Sequence, residues 1–324
     1  MTWREVVPGI FSIRERSYFF FQPHVNIYYI PCNKEGGLLY DAGYGMIRNF
    51  RDFIRSYIDL FKCLKEKAII PRDLAFKDSI SRIILSHEHH DHASGAIWMK
   101  RYFPRSKILA SRLTKKLIDL EFNQEGRDKY SPGIRDRLFD FFYYLLGINK
   151  RVEVDEYIEG GDTIKCGEFE FKAIDAPGHS RGQLLFVEKK HGILFSSDLV
   201  LKNISTWLGP PHSNYDHYMS TMHKLASLKG LKVILPAHGN IMENPNERIQ
   251  ELIRFRKLRE LQIIRICTDK PCSIRDIAWK IYKERGVGTF LIAQGMVNLV
   301  TNYLVRNNRL KEVTVGSKRK FQAV

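Results

Sequence analysis

Residues 81–92 read Ser-Arg-Ile-Ile-Leu-Ser-His-Glu-His-His-Asp-His. The first half is an apolar, β-branched run of strand type, and the second half is a cluster of four histidines and two carboxylates. With 11 histidines in 324 residues, a six-residue window should hold about 0.2 of them by composition alone. Burying so many polar rings without partners would be costly, so the cluster reads as a binding site. Residues 91–103, DHASGAIWMKRYF, read as a helix, with Asp91 or Ser94 near its start. The cluster therefore falls on the turn after a strand, where open α/β sheets place their sites.

The same grammar recurs downstream. FEFKAID (169–175) leads to His179, GILFSS (192–197) to Asp198, and LKVILPA (231–237) to His238. Each is an apolar run ending in one good metal ligand. Neutral imidazole and carboxylate suit zinc, and also iron or manganese. Five histidines and two aspartates exceed the needs of one tetrahedral ion. A pair of divalent ions with one shared carboxylate would use them all.

HEHHDH is an HxHxDH motif. With His179, Asp198 and His238 following in order, residues 1–244 resemble the metallo-β-lactamase superfamily. The resemblance implies an αββα sandwich with a dinuclear site at one edge. It implies that His87, His89 and His179 hold one metal, that Asp91, His92 and His238 hold a second, and that Asp198 bridges them. Asp41, in LLYDAG, matches an early aspartate that orients a liganding histidine in that family. Hydroxide formed from a metal-bound water would be the nucleophile, with Asp91 orienting it or relaying its proton. His90 falls outside the matched positions and is expected to point away.

After Pro245 the texture changes. Ile249, Leu252, Ile253, Leu261 and Ile264 recur at helical spacing, with Asn246 as a candidate cap. Ser273 and Asp276 form a capping-box variant that opens a second helix. A third fits Thr289 to about Arg306, with Phe290, Ala293, Val297, Val300 and Leu304 on one face. Two short strands around Gly316-Ser317 follow. Three helices and a hairpin form a winged-helix-like α+β pattern over 245–324. The segment resembles the appended domain of the β-lactamase-like protein 2 branch. Between the strand-rich stretches, 112–147 reads as a helical insertion, with an aromatic run at 139–144 suited to a core helix, a lid or a subunit contact.

Net charge is +16, and residues 245–324 carry 17 Lys/Arg against 7 Asp/Glu. A basic surface attracts polyanions. Lys318, Arg319 and Lys320, beside the expected wing, are therefore candidate nucleic-acid contacts. The composition is globular, and no run approaches the roughly 18 apolar residues of a membrane span. Charged residues interrupt the apolar residues near the N-terminus, unlike a secretory signal. Five scattered cysteines without a CxxC suggest reduced thiols and a cytoplasmic protein.

The expectation is a metal-dependent hydrolase, with zinc as the expected metal, acting on an anionic substrate. The reading leans to phosphodiester hydrolysis of single-stranded RNA. Hydrolysis of a thioester or ester, as in the glyoxalase II type, is the alternative. A nucleic-acid-binding regulator with a structural metal site is a third reading, and a homodimer is left open.

Overall fold

The computed structural model describes residues 1–16, 23–122 and 152–324. The aromatic run at 139–144 lies outside them. The described chain forms two compact units: one of residues 1–175, 182–203 and 230–243, the other of residues 176–181, 204–229 and 244–324.

In the first unit, seven strands line up in chain order: β1 (Arg4–Val7), β2 (Ile10–Glu15), β3 (Val25–Pro31), β4 (Gly37–Tyr40), β5 (Ile80–Ile84), β6 (Lys107–Ala110) and β7 (Glu156–Tyr157). A second sheet runs β12-β11-β10-β9-β8, from β8 (Thr163–Cys166), β9 (Phe169–Asp175), β10 (Leu184–Glu188), β11 (Ile193–Ser197) and β12 (Val233–Pro236). Pairs β4/β5, β5/β6 and β11/β12 are parallel, so their carboxyl ends point the same way within each sheet.

Strand alternation explains how these residues make two layers. On β3, Tyr28 and Ile30 enter a core shared with Phe171, Phe186, Phe195 and Leu235 of the second sheet. Ile27 and Tyr29 face the opposite way and pack on α1 (Ile47–Glu66). That helix buries Phe53, Tyr57, Leu60, Phe61 and Leu64, one stripe at helical spacing. The core is thus a sheet-on-sheet layer with helices on the outer face of the first sheet.

Two expectations about the first unit need correction. The helix expected over 91–103 is broken into α2 (His90–Ala93) and α3 (Ala96–Tyr102). The break is at Gly95, where an added Cβ would overlap the Ala42 carbonyl. The chain there must pass close to the loop carrying Asp41, which a longer side chain would prevent. Reduced thiols were also expected, but Cys32 and Cys166 form a disulfide joining the ends of β3 and β8. The pairing removes the thiol argument for a reducing compartment. No spacing rule predicts it, because 134 residues separate the partners.

The expected insertion begins with α4 (Arg112–Phe122) in the first unit. In the second unit, α5 (Tyr215–Ala226) is capped by Asn214, whose side chain accepts the His217 N–H. The unit continues through α6 (Pro245–Ile266), α7 (Ile274–Tyr282) and α8 (Val287–Arg306), then the hairpin of β13 (Leu310–Val315) and β14 (Lys318–Ala323). Ser273 and Asp276 cap α7 reciprocally. Phe290, Ala293, Val297, Val300 and Leu304 are all buried. Asn246 is not the cap of α6: Pro245 takes the first helical position, where its fixed φ is favourable and its missing N–H costs nothing. Among the described residues no helix is long and apolar enough to cross a membrane.

Candidate metal centre

Four strands of the first unit end in polar side chains. Tyr40 closes β4 and Asp41 follows; β5 is followed by His87, β11 by Asp198, and β12 by His238. Asp41 and Ser197 both adopt positive φ, 63° and 45°. That left-handed conformation is costly for a residue with a Cβ and recurs at functional sites. Here it turns the chain sharply at the strand ends.

Asp41 is fully buried and organises the loop beyond β5. Its Oδ1 accepts the Ser86 N–H at 2.8 Å, and its Oδ2 accepts the Ser86 hydroxyl at 3.0 Å. The same Oδ2 lies 2.8 Å from His92 Nδ1. A carboxylate accepts there, so His92 carries its proton on Nδ1 and presents Nε2 as a lone pair. His238 is oriented alike: its Nδ1 donates to the His24 carbonyl at 2.7 Å, leaving Nε2 to face inward.

These lone pairs meet carboxylates. His238 Nε2 is 3.1 Å from Asp198 Oδ1 and 3.4 Å from Asp91 Oδ2. His92 Nε2 is 3.5 Å from Asp198 Oδ1 and 3.7 Å from Asp91 Oδ1. His92 Nε2 is buried and makes no hydrogen bond. Donors placed about 2.0–2.2 Å from a tetrahedral ion are separated from one another by about 3.3–3.6 Å. The spacing therefore fits ligands of one cation. Asp91, His92 and His238 offer ligand atoms within 4.8 Å of one another, and so do His87, His89 and Asp198. His87 Nε2 faces His89 Nδ1 at 3.0 Å, while Ser86 and Ser197 hold His87 Nδ1 from behind.

The electrostatics agree with this fit. Burial disfavours charge on Asp198, yet His238 and His92 overcome it and hold its carboxyl well below the usual range. Burial likewise acts to lower His238, but Asp198 and Asp91 push it up to about 10. Without a metal, protons on the imidazoles supply the positive charge the carboxylates demand.

His179 belongs to the second unit. Its Nδ1 donates to the Trp207 carbonyl at 2.8 Å, and its own carbonyl accepts from the Ser213 hydroxyl at 2.7 Å. Gly178 precedes it because a Cβ there would overlap the backbone of Tyr218 on α5. His90 starts α2 with its ring 5.7 Å from that of Tyr44. Arg319 on β14 donates to Glu312 at 2.8 Å and to Asn302 at 3.1 Å. Those bonds occupy part of the guanidinium expected to meet nucleic acid.

Sequence reasoning passed over Glu15. It ends β2, is buried, and its Oε2 accepts the Tyr44 N–H at 2.7 Å, steadying the loop after Asp41. A lone acidic residue in an alternating strand carries no signal of burial.

The metallo-beta-lactamase superfamily model matches residues 22–238, two thirds of the chain. The chain belongs to that superfamily. Among curated relatives it is 28% identical over 292 residues to a chicken (Gallus gallus) protein named acyl-coenzyme A thioesterase MBLAC2, covering 87% of this chain and 95% of that one. It is 25% identical over 238 residues to a Drosophila melanogaster beta-lactamase-like protein 2 homolog, covering 72% of each. A beta-lactamase domain protein from Burkholderia ambifaria shares the fold, with a TM-score of 0.80 at 19% identity, over 99% of this chain and 93% of that one. The His/Asp clusters of the chain suit divalent metal binding.

Proposed function

We propose that this protein is a metal-dependent acyl thioester hydrolase with two divalent ions, zinc by ligand type. The observation that carries the metal chemistry is the meeting of Asp91, His92, Asp198 and His238 at 3.1–3.7 Å around an unbonded His92 Nε2. By the family resemblance, His87, His89 and His179 would hold the first ion and Asp91, His92 and His238 the second, with Asp198 available to either. Bound there, a pair of such cations supplies Lewis acidity, making water ionisable near neutral pH and polarising a carbonyl.

The protein's residues do the rest. Asp41 and the His24 carbonyl fix the tautomers of His92 and His238, so neither ring needs to turn. Asp91 is our candidate to orient the attacking water or relay its proton. With no ion in the site, burial opposes charge on its carboxyl, but His92 and then His238 hold it well below the usual carboxylate range. The alcohol-free ligand set requires no serine or cysteine nucleophile.

The choice of thioester over RNA rests on the relative named for acyl-coenzyme A hydrolysis, which matches along nearly its whole length. Of Lys318, Arg319 and Lys320 on the hairpin, Arg319 is engaged internally. The three helices and hairpin support a winged-helix-like reading of 245–324.

The test is a parallel assay on an acyl-coenzyme A and an RNA oligomer, with metal analysis, before and after chelation. We expect thioester hydrolysis that chelator abolishes and added zinc restores. RNA cleavage without thioester hydrolysis would overturn the substrate class, and chelator-resistant hydrolysis would overturn the metal mechanism.

A further inference from the structure

A second feature of the first unit is a cavity of about 650 Å³ bordered by Arg4, Arg14, Arg16, His24, Asn26 and Asn240. We propose that this cavity binds the phosphate groups of a coenzyme A leaving group. The inference rests on the thioesterase reading above and names where the non-reacting end of that substrate sits.

Charge comes first. Among the described residues, three arginines line the cavity and no aspartate or glutamate does. A guanidinium donates two parallel hydrogen bonds to a phosphate and stays charged at every physiological pH. Arg4 and Arg16 are exposed. Asparagine amides and an imidazole add neutral hydrogen-bonding groups.

The walls are built, not incidental. Arg14 is tied down: its Nη2 donates to the Gly239 carbonyl at 2.7 Å and to Asn240 Oδ1 at 2.8 Å, and its Nε points to Asn26 Oδ1 at 3.3 Å. Asn26 Nδ2 in turn donates to the Pro236 and Gly239 carbonyls, each at 2.9 Å. The cavity wall is therefore the same backbone that carries His238, one residue before Gly239. His24 lines the cavity and its carbonyl holds His238 Nδ1.

That position suits the ligand's shape. Coenzyme A separates its thioester from its phosphates by an extended arm, so a phosphate site should lie beside the metal ligands and not among them. Arg14 abuts the loop after His238. Arg4 lies farther out, opposite Ser12, which is two residues or about 7 Å along β2 from Arg14. The arginines thus form a row leading away from the metal ligands.

The experiment uses the full chain and an Arg4→Ala/Arg16→Ala double variant, whose substitutions are at exposed positions. Binding of adenosine 3′,5′-bisphosphate and of inorganic phosphate is measured by calorimetry at low and high salt. Hydrolysis is measured on octanoyl-coenzyme A and octanoyl-pantetheine. We expect the wild type to bind the bisphosphate more tightly than phosphate, with affinity falling as salt rises. The double variant should bind it at least tenfold more weakly. Its KM for octanoyl-coenzyme A should rise about tenfold, with kcat and octanoyl-pantetheine kinetics unchanged.

Equal bisphosphate binding by the variant and the wild type would overturn the site. Inorganic phosphate binding as tightly as the bisphosphate would overturn the coenzyme assignment. Loss of bisphosphate binding in the variant, with neither thioester hydrolysed by the wild type, would support the phosphate site while sinking the thioesterase reading.

Discussion

His92 donates its Nδ1–H to Asp41 Oδ2 at 2.8 Å, and both side chains are fully buried. Fifty-one residues separate the two, yet this bond sets which nitrogen of His92 can hold a metal. An Asp41→Asn side chain could turn its NH2 toward Nδ1 and move the histidine proton to Nε2, where a cation should bind. Metal affinity should drop about 10- to 100-fold. Competition against a chromophoric chelator measures it, and unchanged affinity would remove the orienting role.

Glu15 should make the fold sensitive to alkali. Burial pushes its carboxyl up from 4.5 to about 8, against the lowering effect of the Tyr44 N–H. Below pH 4.5 the group is protonated in both the folded and unfolded chain. Between there and 8 only the folded chain holds the proton, so stability from this group is lost as pH rises, by up to about 1.4 kcal/mol per unit. Urea unfolding at pH 5 and pH 8.5 should show that loss in the wild type and a smaller one in Glu15→Gln. Parallel pH profiles for the two proteins would contradict the shift.

Arg256 is a buried cation within the second unit. Its Nη2 donates to the Thr206 carbonyl at 2.6 Å, and its guanidinium carbon lies 4.9 Å from the Tyr218 ring centre. The next residue, Trp207, supplies the carbonyl that orients His179. Arg256→Met should cost about 1–3 kcal/mol by leaving a buried carbonyl unpaired, with Arg256→Lys recovering part of it. Denaturant midpoints for the three proteins decide this, and an unperturbed Met variant would refute it.

The Cys32–Cys166 disulfide closes a long loop and should stabilise the first unit by about 2–4 kcal/mol. Cys32→Ser should lower the melting temperature in the absence of reductant. Dithiothreitol should then lower the wild type to the variant's value and leave the variant unmoved. A wild type indifferent to reductant would show that the bond contributes nothing.

Much of the chemistry was readable before any fold was known. Residues 87–92 announce metal binding because four imidazoles in six positions have no cheaper explanation, and alternation marks the strands that lead to Asp198 and His238. The capping box at Ser273 and Asp276 was legible for a similar reason: local hydrogen bonds depend on residues three apart. The break at Gly95 was not, because it answers to the Ala42 carbonyl, which is distant in sequence.

Composition and local order along the chain nominate the residues suited to a cation and mark the runs that form strands, since both follow from side-chain chemistry and short-range periodicity. Tertiary structure alone decides which nitrogen each histidine offers, that Glu15 is buried, that Cys32 meets Cys166, and that arginines from one edge of a sheet share a cavity with the loop after His238. Those outcomes depend on contacts between residues up to more than 200 positions apart. Only the packing of one strand end against another brings such residues within a hydrogen bond.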